Sequence, residues 1–171
     1  MWLKYDSAPI LIGEQWSRNQ PARLSEHQKP SGFWITDDSE DCWRSWCVGE
    51  QWGLDGLTHK HEIVLDETNI LILRNQLDVE CFAEKYRVIK RWGKNNEWAD
   101  RCIEWQRVAS EYDGIIITPY QYRLRLADGF MWYYGWDCAS GCIWNANAIR
   151  DIRLIEIDRE IAKRQKEAAA A

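Results

Sequence analysis

Short apolar runs broken by polar residues dominate the chain. Met1 to Tyr5 and Pro9 to Ile12 predict strands, and the polar stretch Glu14 to Ser31, with Pro21 and Pro30, predicts a loop with about one helical turn. Gly32 to Thr36 (GFWIT) is a β-prone run. The acidic DDSEDC that follows offers Ser39 as N-cap of a helix in which Cys42, Trp43, Trp46 and Cys47 share one side, before Gly53 and Gly56 interrupt it. In THKHEIVL the residues His59, His61, Ile63 and Leu65 alternate onto one face, and after a break at Asp66 to Asn69 comes the run ILIL. Two further helices are predicted, one over Leu77 to Tyr86 and one carrying Cys102, Trp105, Val108 and Ala109, with a basic connector between them. From Gly114 onward the chain reads as strands: GIIIT, YQYRLRL, FMWYYGW, CIWN and IRLIEI. Helices clustered between strand-rich segments predict an α+β domain over residues 1–157, followed by a helical tail over 158–171.

Length and charge narrow the picture. A chain of 171 residues suits one core. No apolar run spans a bilayer and Met1 to Gly13 does not resemble a signal peptide, so a cytoplasmic protein without membrane contact is expected. Six cysteines then read as reduced thiols, and their spacings match no common zinc knuckle, so no metal site is expected. His59 and His61 share a face but lack a third ligand at a telling spacing. The net charge of −5 argues against global affinity for nucleic acid. A local basic segment, Lys85, Arg87, Lys90, Arg91 and Lys94 around Trp92, reads first as a solvated helix end, and second as a contact for single-stranded nucleic acid. Phosphate loops and nucleophile elbows do not occur.

The stretch GFWITDDSEDCWRSWC resembles the segment of ADP-ribosyltransferases in which a glycine-led strand bearing an aromatic residue precedes a helix ending in a second aromatic. YDGIII followed by CIWNANAIRDIRLI is similar to the closing strands of that superfamily. The resemblance spans roughly Tyr5 to Ile157, with small phage and bacterial members as the nearest comparison. It implies a split β-sheet core with flanking helices, and NAD as substrate. By this likeness Trp34 and Trp46 border the nicotinamide, with Gly32 and Thr36 on the same strand. Tyr5, Asp6 and Ser7 occupy the place of the family's first-strand triplet. Ser140 stands where the family carries its glutamate, and Asp137 is the nearest carboxylate. These two are the candidate catalytic residues, because a carboxylate near the ribose stabilises the positive charge that develops as nicotinamide leaves.

The region before the closing strand often selects the acceptor in the family. Tyr120, Tyr122, Arg123 and Arg125 therefore become candidate acceptor contacts for a protein or nucleic acid, although the alternation also suits an ordinary half-buried strand. Three functions follow from the likeness: transfer of ADP-ribose to a macromolecule, a degenerate binding or inhibitory module, or an enzyme that consumes NAD or processes RNA 2′-phosphates on the same scaffold.

Overall fold

The computed structural model describes residues 1–10, 29–92 and 98–163, with the backbone alone for 90–92 and 98–100. Among these residues the protein is a mixed α+β structure built on one seven-stranded sheet. In chain order the elements are β1 (Trp2–Asp6), β2 (Phe33–Thr36), α1 (Trp43–Glu50), β3 (His59–Leu65), β4 (Ile70–Leu73), α2 (Gln76–Tyr86), β5 (Arg87–Trp92), β6 (Trp98–Ile103), α3 (Trp105–Glu111), β7 (Gly114–Ile117), β8 (Ser140–Ile143) and β9 (Ile149–Ile157). The large sheet runs β4-β7-β8-β2-β1-β3-β9, and β5 pairs with β6 in a separate ribbon. Among the described strands only β4 and β7 pair in parallel. A parallel pair needs a crossover, which α2, the ribbon and α3 supply.

β7 explains the layering. All four of its residues are buried. Ile115 and Ile117 enter one apolar cluster with Phe82, Trp105, Trp132 and Trp136, while Ile116 enters a second with Phe33, Ile35 and Ile143. Alternate side chains point to opposite faces, so a continuous apolar run is what a strand covered on both faces requires. A third, smaller cluster joins Leu3, Tyr5, Cys47 and Leu57, with Trp43, Trp46 and Ile161 packed against it.

Several expectations are corrected. YQYRLRL and FMWYYGW do not form strands: Tyr122–Leu124 and Met131–Tyr133 are 3₁₀ turns. Their large residues answer to one apolar cluster, into which Tyr120, Leu124, Trp132, Tyr133 and Trp136 all pack. The basic connector includes an antiparallel pair of strands with Trp92 opposite Trp98, and Cys102 belongs to the second strand rather than to a helix. Ser39 does not cap α1. Cys42 precedes the helix without a side-chain cap, and Ser39 instead accepts the Cys42 amide through its carbonyl. Pro9 and Ile10 lie outside any strand. Leu11 and Ile12, most of the loop over 14–31, Lys94 and tail residues 164–171 lie outside the described residues.

Candidate functional site

β1 and β2 pair at one position, Leu3 opposite Thr36, whereas β1 and β3 pair along five. Beyond Leu3 the arms of β1 and β2 part. A cavity of about 200 Å³ occupies this fork, lined by Leu3, Lys4 and Tyr5 on one arm and Trp34, Ile35 and Thr36 on the other. Trp43, Asp137, Cys138, Ser140, Lys29 and Gly135 complete the wall. Register places the central residues. Leu3 faces Thr36 and Thr36 faces Ser140, and directly opposed residues lie on the same side of a sheet, as does Trp34 by alternation.

Thr36 ties the elements around the cavity together. Its hydroxyl donates to the Ala139 carbonyl at 2.7 Å and accepts the Trp43 amide at 2.9 Å, while the Ala139 amide donates to the Asp41 carbonyl at 2.9 Å. These bonds fix the start of α1 beside the start of β8, which is why Trp43 and Ser140 both border the cavity. The Ser140 hydroxyl turns inward and donates to the Cys138 carbonyl at 3.0 Å. Burial pushes the neighbouring Cys138 thiol up to about 12, with smaller influences from Ser140 and Asp137, so at neutral pH it is no thiolate nucleophile.

Two cations flank the aromatic walls. Lys29 donates to the Gly135 carbonyl at 2.9 Å and lies 4.9 Å from the centre of a Trp34 ring. The Lys4 ammonium lies 5.5 Å from the Phe33 ring and has no hydrogen bond or ion pair among the described residues. Burial lowers its pKa, against a weaker opposing pull from Asp6. With no ion-pair partner among the described residues, this ammonium beside the cavity suits an anionic group. Asp137 supplies the cavity's carboxylate and is held by Arg125 at 3.3 Å.

Of the residues named from sequence, Tyr5, Trp34, Thr36, Asp137 and Ser140 come together at this cavity. Trp46 does not line it. It stacks outside on Trp43, ring centres 5.1 Å apart and planes 13° apart, so Trp43 is the α1 aromatic that reaches the cavity. Asp6 turns to its own loop, accepting from Ser7 and the Ala8 amide. Gly32 lies off the wall, packed so closely on β8 that a Cβ there would sit 2.6 Å from the Ile143 carbonyl oxygen. Among the acceptor candidates, Tyr120 is buried with no partner for its hydroxyl among the described residues, and Arg125 is committed to Asp137. Tyr122 and Arg123 are exposed, with the Tyr122 hydroxyl donating to Asp41.

Sequence reasoning missed Lys4, Lys29 and Trp43. The spacing of Trp43 and Trp46 marked a shared helix side and left open which ring turned inward. Lys4 sits in a run whose alternation predicts solvent, and only the parting of the strands encloses it. No described group of three or more His, Cys, Asp or Glu residues could hold a metal ion, and no described helix is long and apolar enough to cross a membrane. Comparisons with family models, curated proteins and solved structures found no match.

Proposed function

We propose that the fork cavity binds the nicotinamide end of NAD, that the domain is a split-sheet protein of ADP-ribosyltransferase type, and that it transfers ADP-ribose to a macromolecular acceptor. One observation carries the reading: segments distant in sequence, β1, β2 and the loop leading into β8, bring Tyr5, Trp34, Thr36, Asp137 and Ser140 to one cavity where two paired strands part. The residues suit the substrate. Trp34 and Trp43 offer apolar faces to a flat heterocycle. Lys4 and Lys29 suit the anionic pyrophosphate of NAD rather than its cationic nicotinamide ring. NAD supplies an activated glycosidic bond, and the Asp137 carboxylate is the negative group available to stabilise charge developing on the ribose. Ser140 has neither the charge nor the free hydroxyl hydrogen for that task, since its proton is spent on Cys138.

Nicotinamide release from NAD, measured with the wild type and with Asp137→Ala and Trp34→Ala, tests the proposal. Wild-type release is expected, with a fall of about a hundredfold in Asp137→Ala, the usual scale for losing a preorganised electrostatic group. Trp34→Ala is expected to weaken NAD binding as well. Release unchanged in both variants contradicts the assignment. The Arg125 contact to Asp137 favours a second reading, in which that carboxylate is neutralised in place and the domain binds NAD without turning it over. Tight binding with no release by the wild type, and release gained in Arg125→Ala, supports that module.

A further inference from the structure

Residues 37–56 hold six carboxylates and one cation, Arg44, a net charge of −5 that equals the charge of the whole chain. The same segment carries α1 and three tryptophans. Trp43 lines the cavity, Trp46 stacks on it, and Trp52 stands edge-on to both, with ring centres 5.8 Å away in each case. Trp52, just beyond the helix, is 58% exposed, and Val48 on the helix is exposed as well. Large indoles normally find cover.

Trp52 is also held in place. Gln51 adopts a left-handed backbone, φ 53°, uncommon for a residue other than glycine, and the Trp52 amide donates back to the Cys47 carbonyl at 3.0 Å. The Gln51 side chain adds a bond to the Val48 carbonyl at 2.7 Å. The exposed ring therefore projects from a fixed turn. Carboxylates lie at both ends of this aromatic face. Asp38, 3.9 Å from the Lys60 ammonium, and Glu40 are exposed before the helix, Glu50 is exposed at its last position and Asp55 is exposed beyond it.

We propose that the Trp43–Trp46–Trp52 face and its flanking carboxylates dock a lysine- or arginine-bearing segment of a partner protein. Indole faces attract cations, and carboxylates at the rim steer them and set the register. The same charge repels phosphate backbones, which disfavours a nucleic acid at this face. Because Trp43 belongs to both the face and the cavity wall, a segment docked here lies beside the cavity mouth. Calling that segment the carrier of the acceptor rests on the NAD reading, whereas the docking itself does not.

The test is fluorescence anisotropy of a labelled synthetic peptide alternating arginine with glycine, compared with a glutamate counterpart and an oligothymidylate. The arginine peptide is expected to bind the full chain and the other two are not. Trp52→Ala is expected to weaken binding about tenfold, between the scales of an exposed and a desolvated cation on an indole. Asp38→Asn with Glu40→Gln is expected to weaken it at low salt and to lose its effect as salt rises. NAD affinity, measured in parallel, is expected to be unchanged in Trp52→Ala, since that ring does not line the cavity. Equal binding of the arginine peptide by wild type and Trp52→Ala overturns the proposal, as does preference for the oligonucleotide. Self-association through this face that excludes the peptide overturns it too. Peptide binding without NAD binding removes the NAD reading and leaves the docking surface standing.

Discussion

Two groups of tryptophans lie to either side of Trp34 and differ in what surrounds them. On one side Trp105, Trp132 and Trp136 are at most 2% exposed and pack with each other, Phe82 and Tyr133 at tilted and edge-on angles. On the other, Trp43 and Trp46 are half-buried and Trp52 is exposed. The sealed group leaves the Trp132 and Trp136 indole N–H groups without a partner among the described residues, a cost met by burying large apolar area. The open group buries less and faces carboxylates. The same residue type therefore builds a sealed core in one place and an exposed aromatic face in another. Trp34 joins the two: it lies edge-on to Trp136, ring centres 4.9 Å apart, and also lines the cavity with Trp43.

This contrast breaks most readily at Trp132. Trp132→Ala empties a site within the largest cluster, and a loss of about 3–5 kcal/mol in stability to urea unfolding is expected. A loss below about 1 kcal/mol would show that the group is not a rigid core.

A smaller effect is expected behind the fork. His61 is fully buried, accepts the Ile10 amide through Nε2 at 3.0 Å, and contacts the Lys4 carbonyl through Nδ1 at 3.3 Å. This arrangement needs the neutral ring with its proton on Nδ1. Burial lowers the pKa from its ordinary 6.5, outweighing the pull of the Lys4 carbonyl, so the unfolded chain binds more protons just below that pH. The stabilisation is therefore full above pH 6.5 and is lost as pH falls from there through the lowered pKa. His61→Gln, which keeps an acceptor without that titration, is expected to flatten the acid limb of a stability profile by about 1 kcal/mol, the scale of one buried hydrogen bond. An unchanged acid limb would remove His61 from the account.

Trp52→Ala completes the series. Its exposed ring contributes little to folding, so stability is expected to shift by less than about 0.5 kcal/mol in the same urea assay. A loss comparable to that of Trp132→Ala would make the open group a second core and remove its role in recognition.

The regular parts of this fold were legible from local pattern. GFWIT, THKHEIVL, ILIL and GIIIT each became strands, because their burial follows alternation or covers both faces. The 120–136 region was not legible. Its aromatic residues are dense enough to imitate strands, yet Gly129 at φ 80° breaks the run, and Arg101 packs where a side chain would otherwise be. The ribbon was hidden by its charge, which reads as solvated in either a helix or a strand. At the site, a likeness in residue order pointed to Trp34, Asp137 and Ser140. The choice of Trp43 over Trp46 depends on a helix rotation set by Thr36, and the enclosure of Lys4 depends on strands that stop pairing. Neither leaves a local trace in the sequence.

The central claim is that NAD enters the fork between β1 and β2. The most direct measurement follows the twelve tryptophan indole N–H signals in a nitrogen-15 correlation spectrum as NAD is added. The account predicts saturable shifts of the Trp34 and Trp43 signals, with Trp105 and Trp2 unmoved. Shifts confined to Trp52, or no saturable shift at any indole, would contradict it.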